Sequence, residues 1–546
     1  MTLDRREFLQ TAALGGLGVL AGTAHTHTSL HQPPPTSIPT FELDELTITD
    51  FQEGMQRGKY TARSLCERYL ARIDAIDRRG PALRAVIEIN PDALAIAARL
   101  DAERRAGQVR GALHGIPVLV KDNIATADRL QTTAGSLALV GATPPRDAAV
   151  VRRLREAGAV IIGKTNLSEW ANFRSSQSSS GWSGRGGQCR NPYALDRNPC
   201  GSSSGTGSAV AANLAAVGVG TETDGSVVCP SSAAGLVGIK PTLGLVSRRG
   251  IVPIAHSQDT AGPMARTVRD AAILLGVLTG ADPEDAVTAS GPGINDYTKF
   301  LDAGGLKGAT IGVARNKLMG YHPATDLLVA QALDVLRQQG ATIVDPADIP
   351  HLGEYDDAEL TVLLYEFKTD VNAYLAEFAP GAPVKTLQDV IDFNAHNADR
   401  EMPFFGQDLL LKAQAKGDLT TQEYVDALAK CRRLARDEGL KALLDQQKLD
   451  AVVAPTGNPA WPIDLVNGDH FLGGSSTPAA VAGFAHVTVP AGDVFGLPVG
   501  LSFIGGPFSE PTLLKLAYAY EQATKLRRPP RFLPTAEVGA PRGPRS

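Results

Sequence analysis

Asn198 to Pro241 reads NPCGSSSGTGSAVAANLAAVGVGTETDGSVVCPSSAAGLVGIKP. Glycine and serine crowd both ends of this stretch, yet an apolar, helix-like run from Ala209 to Val217 lies between them. A flexible linker has no use for such a run, so the glycines belong to tight backbone inside a fold. A phosphate-binding loop would need GxxxxGK[ST] or GxGxxG, and the stretch has neither. A nucleophile elbow of the GxSxG kind is satisfied by Gly201-Ser202-Ser203-Ser204-Gly205, centred on Ser203. Such an elbow sits between a strand and a helix. The prolines at 192 and 199 make the preceding segment a poor strand, which argues against an elbow here.

Outward from there, helical and strand signals alternate from Phe41 to Arg528. Asn90 before Pro91 reads as the N-cap of a helix over Ala93 to Ala106 that Gly107 stops. Asp147 opens another helix, with Val150, Val151 and Leu154 on its apolar face and Gly158 at its end. Short apolar runs predict strands at 118–120, 159–162, 310–313, 342–344 and 451–454. Between most of them lie helical patterns, as at 267–278 and 326–338. That alternation predicts an α/β architecture around a mixed, mostly buried sheet.

Composition narrows the functional classes. Hydrophobic residues make up 43% of the 546, which rules out a disordered or fibrous chain. Against 58 acidic residues stand 53 basic ones, a net charge of −5 that offers nothing to pull in nucleic acid. The five cysteines (Cys66, Cys189, Cys200, Cys229, Cys431) are few and odd in number, so no disulfide framework is expected. Cys229 reads as a small buried residue and not as a second nucleophile. Neither CxxC nor HExxH occurs, and no metal or cofactor is expected.

The two ends stand apart from this pattern. Asp4-Arg5-Arg6-Glu7-Phe8-Leu9 precedes an uncharged run from Thr11 to Ala24. That run is shorter than the ~20 residues needed to span a bilayer as a helix, so no stable membrane insertion is expected. A charged segment before a short Gly-rich apolar run is an export address, here of the twin-arginine kind. Residues 1–24 are therefore expected to be removed and the protein to lie outside the cytoplasm, after transient contact with the twin-arginine machinery. Residues 25–40, with His25, His27 and His31 among prolines, read as a linker, and 529–546 as a Pro- and Arg-rich tail.

Several segments match one family in order. Gly115-Ile116-Pro117-Val118-Leu119-Val120-Lys121-Asp122-Asn123 matches a GxPxxxKDN segment. Gly201 to Gly205 and Thr223-Asp224-Gly225-Ser226 match its two serine loops, with the serines at 202 and 226 at the family's spacing. Gln258 to Arg266 and Gly496 to Leu501 match two further segments. The chain thus resembles the amidase signature family over roughly 45–525. The resemblance implies one large domain over 41–528, its mixed sheet covered by helices on both faces. PCGSSSG, GTETDGS and LLYEFK (Leu363 to Lys368) are most similar to the branch that removes the C-terminal amide from peptides.

The resemblance also implies residue roles. Ser226 attacks the amide carbonyl, Ser202 relays the proton, and Lys121 receives it, a Ser-Ser-Lys variant of the serine triad. Lysine can be a base only when neutral, and burial behind the apolar strand Ile116 to Val120 would lower its pKa. The relay serine of the family follows a cis peptide bond. The backbone N–H groups of Thr223, Asp224, Gly225 and Ser226 would meet the oxyanion. Asp224 replaces the family's usual glycine, and Val228 its usual arginine. Both changes reshape the pocket rim, where Trp461 is a candidate wall. The expected reaction is hydrolysis of a peptide carboxamide to acid and ammonia. The alternatives are a broader acylamidase acting on aryl or linear oligomeric amides and, from another class, an amidotransferase subunit.

Overall fold

A computed structural model describes residues 38–537. The export address over 1–24 lies outside the described residues, as does all but the end of the 25–40 linker.

Eleven strands form one sheet: β1 (Val86–Ile89), β2 (Pro117–Lys121), β3 (Val160–Thr165), β6 (Val217–Glu222), β7 (Val237–Lys240), β8 (Thr260–Ala265), β9 (Thr310–Val313), β10 (Thr342–Val344), β11 (Ala451–Pro455), β12 (His486–Val494) and β13 (Leu497–Ile504). The short β4 (Trp182–Ser183) and β5 (Gly187–Gln188) pair separately. The strand order is β1-β3-β2-β6-β8-β7-β12-β13-β11-β9-β10. It is mixed: β3, β2 and β6 run parallel, as do β11, β9 and β10, while the central pairings from β6 to β11 are antiparallel. Every residue of β2, β3 and β6 is buried, which explains why these strands read as continuous and not alternating apolar runs.

Register places the chemistry. Leu119 pairs with Gly218 and Val120 with Val219, so β2 and β6 end together at their carboxyl edge. Lys121, the last residue of β2, lies there with its amine bonded to Thr221. Antiparallel β8 pairs Thr260 with Glu222 and brings Asp259 to the same edge. Sites in open α/β sheets form at such carboxyl ends.

Local expectations needed correction in four places. The apolar run Ala209 to Val217 is not one helix. A helix spans Ser204–Ala211, the chain turns through Ala212 to Leu214, and Val217 already begins β6. Asn90 does not cap its helix, which spans Ala93–Arg105 with Asp92 at the cap. Its side chain instead accepts from the Asp92 N–H at 2.9 Å and donates to the Ile161 carbonyl at 2.8 Å, tying the turn to β3. Asp147 precedes the N-cap Ala148 and holds the Ala127 N–H at 2.7 Å. The segment expected to be a solvated tail is pinned as far as Glu537. The Phe532 N–H donates to Pro192 and the Leu195 N–H to Leu533, and Phe532 and Ala536 are buried.

Candidate active site

Lys121 is fully buried. Its Nζ donates to Ser202 Oγ at 2.8 Å and to Thr221 Oγ1 at 2.9 Å, and lies 3.3 Å from the Thr221 carbonyl. Burial holds its ammonium down to about 7, opposed by the negative charges of Asp259 and Glu222. Asn123, two residues on, also donates to Thr221 Oγ1 at 2.9 Å. Thr221 is thus the anchor that aims Lys121 at Ser202. Its neighbour Asp259 accepts from Thr223 Oγ1 at 2.5 Å and from the Ile254 and Ala255 N–H groups, while burial pushes its carboxyl up to about 7.

The two serine loops meet over β6. The Gly201–Ser202 peptide is cis. The Ser203 N–H donates to the Ser226 carbonyl at 3.1 Å, fastening one loop to the other. Ser203 Oγ turns away, donating to the Thr221 carbonyl at 3.0 Å and accepting from the Thr221 N–H at 3.2 Å. A fully buried hydroxyl bonded this way cannot serve as an exposed elbow nucleophile. Ser226 retains 7% of its surface and makes no hydrogen bond through Oγ to Ser202 or to any other described residue. The structure therefore brings Lys121 and Ser202 together and sets Ser226 beside them through backbone.

Glu222 shapes the loop around Ser226. Its buried carboxylate accepts from Gly225 at 3.0 Å, Val227 at 2.7 Å and Val228 at 3.0 Å. Of the four amides expected to face an oxyanion, Gly225 is thereby already engaged. Those of Thr223, Asp224 and Ser226 lie outside the grip of Glu222. Burial raises the Glu222 carboxyl and the Lys240 cation opposes it. Glu222 and Asn123 lie inside the motifs quoted above but carried no role there; their neighbours in GTETDGS and KDN are the signal that could have singled them out.

The rim is acidic. Thr477 Oγ1 donates to Asp224 Oδ2 at 2.7 Å, and Asp224 does not merely fold back on its own loop. Glu359 faces it, pushed up to about 8 first by burial and then by the Asp224 charge, and accepts from Gln258 Nε2 at 2.9 Å. Val228 opens the short helix Val228–Ala233. His256, Glu366 and Asp370 bring potential metal ligands within 4.8 Å of one another. Hydrogen bonds already account for them: Glu366 accepts from Tyr424 and Ser257, and Asp370 takes the His256 ring and N–H.

No disulfide framework was expected, and one bond forms among the five cysteines. Cys200 and Cys229, 29 residues apart, form a disulfide across the serine loops. Their separation in sequence hid what the fold brings together. Trp461 packs with Cys200 and Ala233 beside that bond and donates from Nε1 to Asp469 at 3.0 Å. Cys66, Cys189 and Cys431 are free and buried.

At the sheet edge a buried lysine is bonded to a serine, and a second serine loop is fastened beside it. The family model for Amidase matches residues 64–514, and the chain belongs to that family. It is a hydrolase acting on amide C–N bonds.

Its relatives include a "Probable amidase" of Arabidopsis thaliana, 43% identical over 90% of this chain and 93% of that protein. The native peptide amidase of Stenotrophomonas maltophilia is 52% identical, with a TM-score of 0.87 over 90% of this chain and all of that one. A glutamyl-tRNA(Gln) amidotransferase subunit from Roseiflexus is 37% identical over 88% of this chain and 97% of that protein.

Proposed function

We propose that the chain hydrolyses the C-terminal carboxamide of peptides to the free acid and ammonia, through Ser226, Ser202 and Lys121. The observation that carries this reading is the buried Lys121 amine 2.8 Å from Ser202 Oγ, with its pKa held near neutrality. Ser226 Oγ attacks the carbonyl carbon and gives its proton to Ser202, whose own proton passes to neutral Lys121. The tetrahedral oxyanion is met by the N–H groups of Thr223, Asp224 and Ser226. Proton return through Ser202 releases ammonia and leaves an acyl-Ser226 ester. Water then cleaves the ester by the same relay.

The similarity to peptide amidase favours a peptide carboxamide over an aryl or oligomeric amide. Purified protein alone should release ammonia from a peptide amide and spare an N-terminal acyl anilide. Preference for the anilide would favour the acylamidase reading, and activity only with added partner proteins the amidotransferase reading. A serine-directed phosphonylating reagent should label Ser226; an adduct on Ser203 would overturn the assignment.

Export is part of the proposal. Arg5-Arg6 before the uncharged run Thr11 to Ala24 supports a mature chain beginning near residue 25, outside the cytoplasm. No helix among the described residues is long and apolar enough to cross a membrane. Replacing Arg5 and Arg6 with lysine should hold the full-length protein in the cytoplasm on fractionation. Wild type that stays there uncleaved would contradict this.

A further inference from the structure

We propose that the Cys200–Cys229 disulfide is a positioning bond for the serine pair, so that its reduction lowers turnover reversibly while leaving substrate binding in place. The inference rests on the reading of Ser202 and Ser226 as relay and nucleophile. Cys200 lies two residues before Ser202, and Cys229 three after Ser226. No hydrogen bond joins the two serine hydroxyls. Their relative placement falls to the links between their loops. Close to the serines these are the Ser203 N–H to Ser226 carbonyl bond at 3.1 Å and the disulfide. The first fixes one side of the pair, and the disulfide fixes the other, immediately before the Gly201–Ser202 peptide and at the start of the helix Val228–Ala233.

The bond is placed to respond to redox conditions. Cys229 is only partly buried, against Trp461, Ala233 and Cys200. A small dithiol can attack it, breaking the S–S bond by thiol–disulfide exchange. The dithiol supplies two electrons and two protons, two cysteine thiols form, and the reductant closes to its own disulfide. The other cysteines do not confuse the response. Burial pushes the Cys189 and Cys431 thiols up to about 12 and that of Cys66 higher still, so all three stay protonated and inert. Cut the tie, and the peptide site and Lys121 remain, but the Ser202–Ser226 approach loosens. Such loosening lowers kcat before it touches KM.

The test compares the oxidised full chain, the same protein reduced by a dithiol, and the variant Cys200→Ser/Cys229→Ser. Each is assayed on a peptide carboxamide, well below its own unfolding temperature. Thiol titration after unfolding in denaturant should count three in the oxidised protein and five in the reduced one. We expect kcat to fall ~10- to 100-fold with KM within about twofold and the acid limb of the pH profile unmoved. Reoxidation should restore wild type, and reductant should leave the double variant unchanged. Fully reduced protein that keeps kcat within about twofold overturns the proposal. A loss that follows the near-ultraviolet circular dichroism signal also overturns it, since the bond would then hold the fold and not the serines. An inactive Ser226→Ala beside a fully active reduced enzyme rejects the disulfide role alone. An active Ser226→Ala rejects the underlying reading.

Discussion

Lys121 is where sequence and physics meet most closely. A lysine is by default a surface residue, and only the KDN match and the serine loops marked this one. The structure adds what the motif could not: complete burial, the Thr221 anchor and the carboxylates of Glu222 and Asp259 nearby. Two predictions belong at this scale. Activity should fall as pH drops through about 7, because protonation removes the base. Lys121→Met should be inactive yet more stable than wild type near neutral pH. The unfolded lysine binds a proton that the buried one gives up, so wild-type stability rises with pH between about 7 and the ordinary lysine value of 10.5. The stability gap between the two proteins should therefore shrink across that interval, measured by urea unfolding. A constant gap would mean that Lys121 is not held neutral.

At the scale of elements, the strands were legible and the turns around the serines were not. Thr310–Val313 and Thr342–Val344 fall where apolar runs placed them. Hydrophobic pattern merged Ala209 to Val217 into one segment because buried helix and buried strand are equally apolar. What divides them is the turn at Ala212 to Leu214, with Asn213 at φ 56°. Glu222 was equally silent, since nothing in GTETDGS says which backbone amides its carboxylate will hold. Glu222→Gln should weaken the loop by roughly 1–3 kcal/mol, because the amide keeps one neutral acceptor and sets an NH2 donor against a backbone N–H that the carboxylate had bonded. Its kcat should drop with little change in KM. Wild-type kcat in that variant would show that the Ser226 loop holds its shape without the carboxylate.

Across the whole molecule, ends distant in sequence close on each other. Arg527 donates to Glu45 at 2.8 Å, to Gly235 at 2.9 Å and to Tyr193 at 3.1 Å. The segment beyond it was read as solvated because prolines and arginines dominate it, yet Phe532 and Ala536 supply the apolar contacts that hold it. Composition averages over such single residues. Arg527→Ala should cost ~1–3 kcal/mol in global unfolding, the lower part of the range for a broken ion pair because Glu45 is partly exposed. Activity per folded molecule should stay unchanged. A loss of kcat in the folded variant would tie this distant cluster to the serine loops.

The central claim is that neutral Lys121 takes the proton of Ser226 through Ser202, and Lys121→Arg tests it most directly. Arginine keeps a cation in the site but cannot release its proton in a protein. The measurement is kcat on a peptide carboxamide, with circular dichroism showing a native fold. Turnover should fall by more than ~3 orders of magnitude, comparable to Ser226→Ala. Turnover near wild type would contradict it and leave Lys121 as a positive charge and not a base.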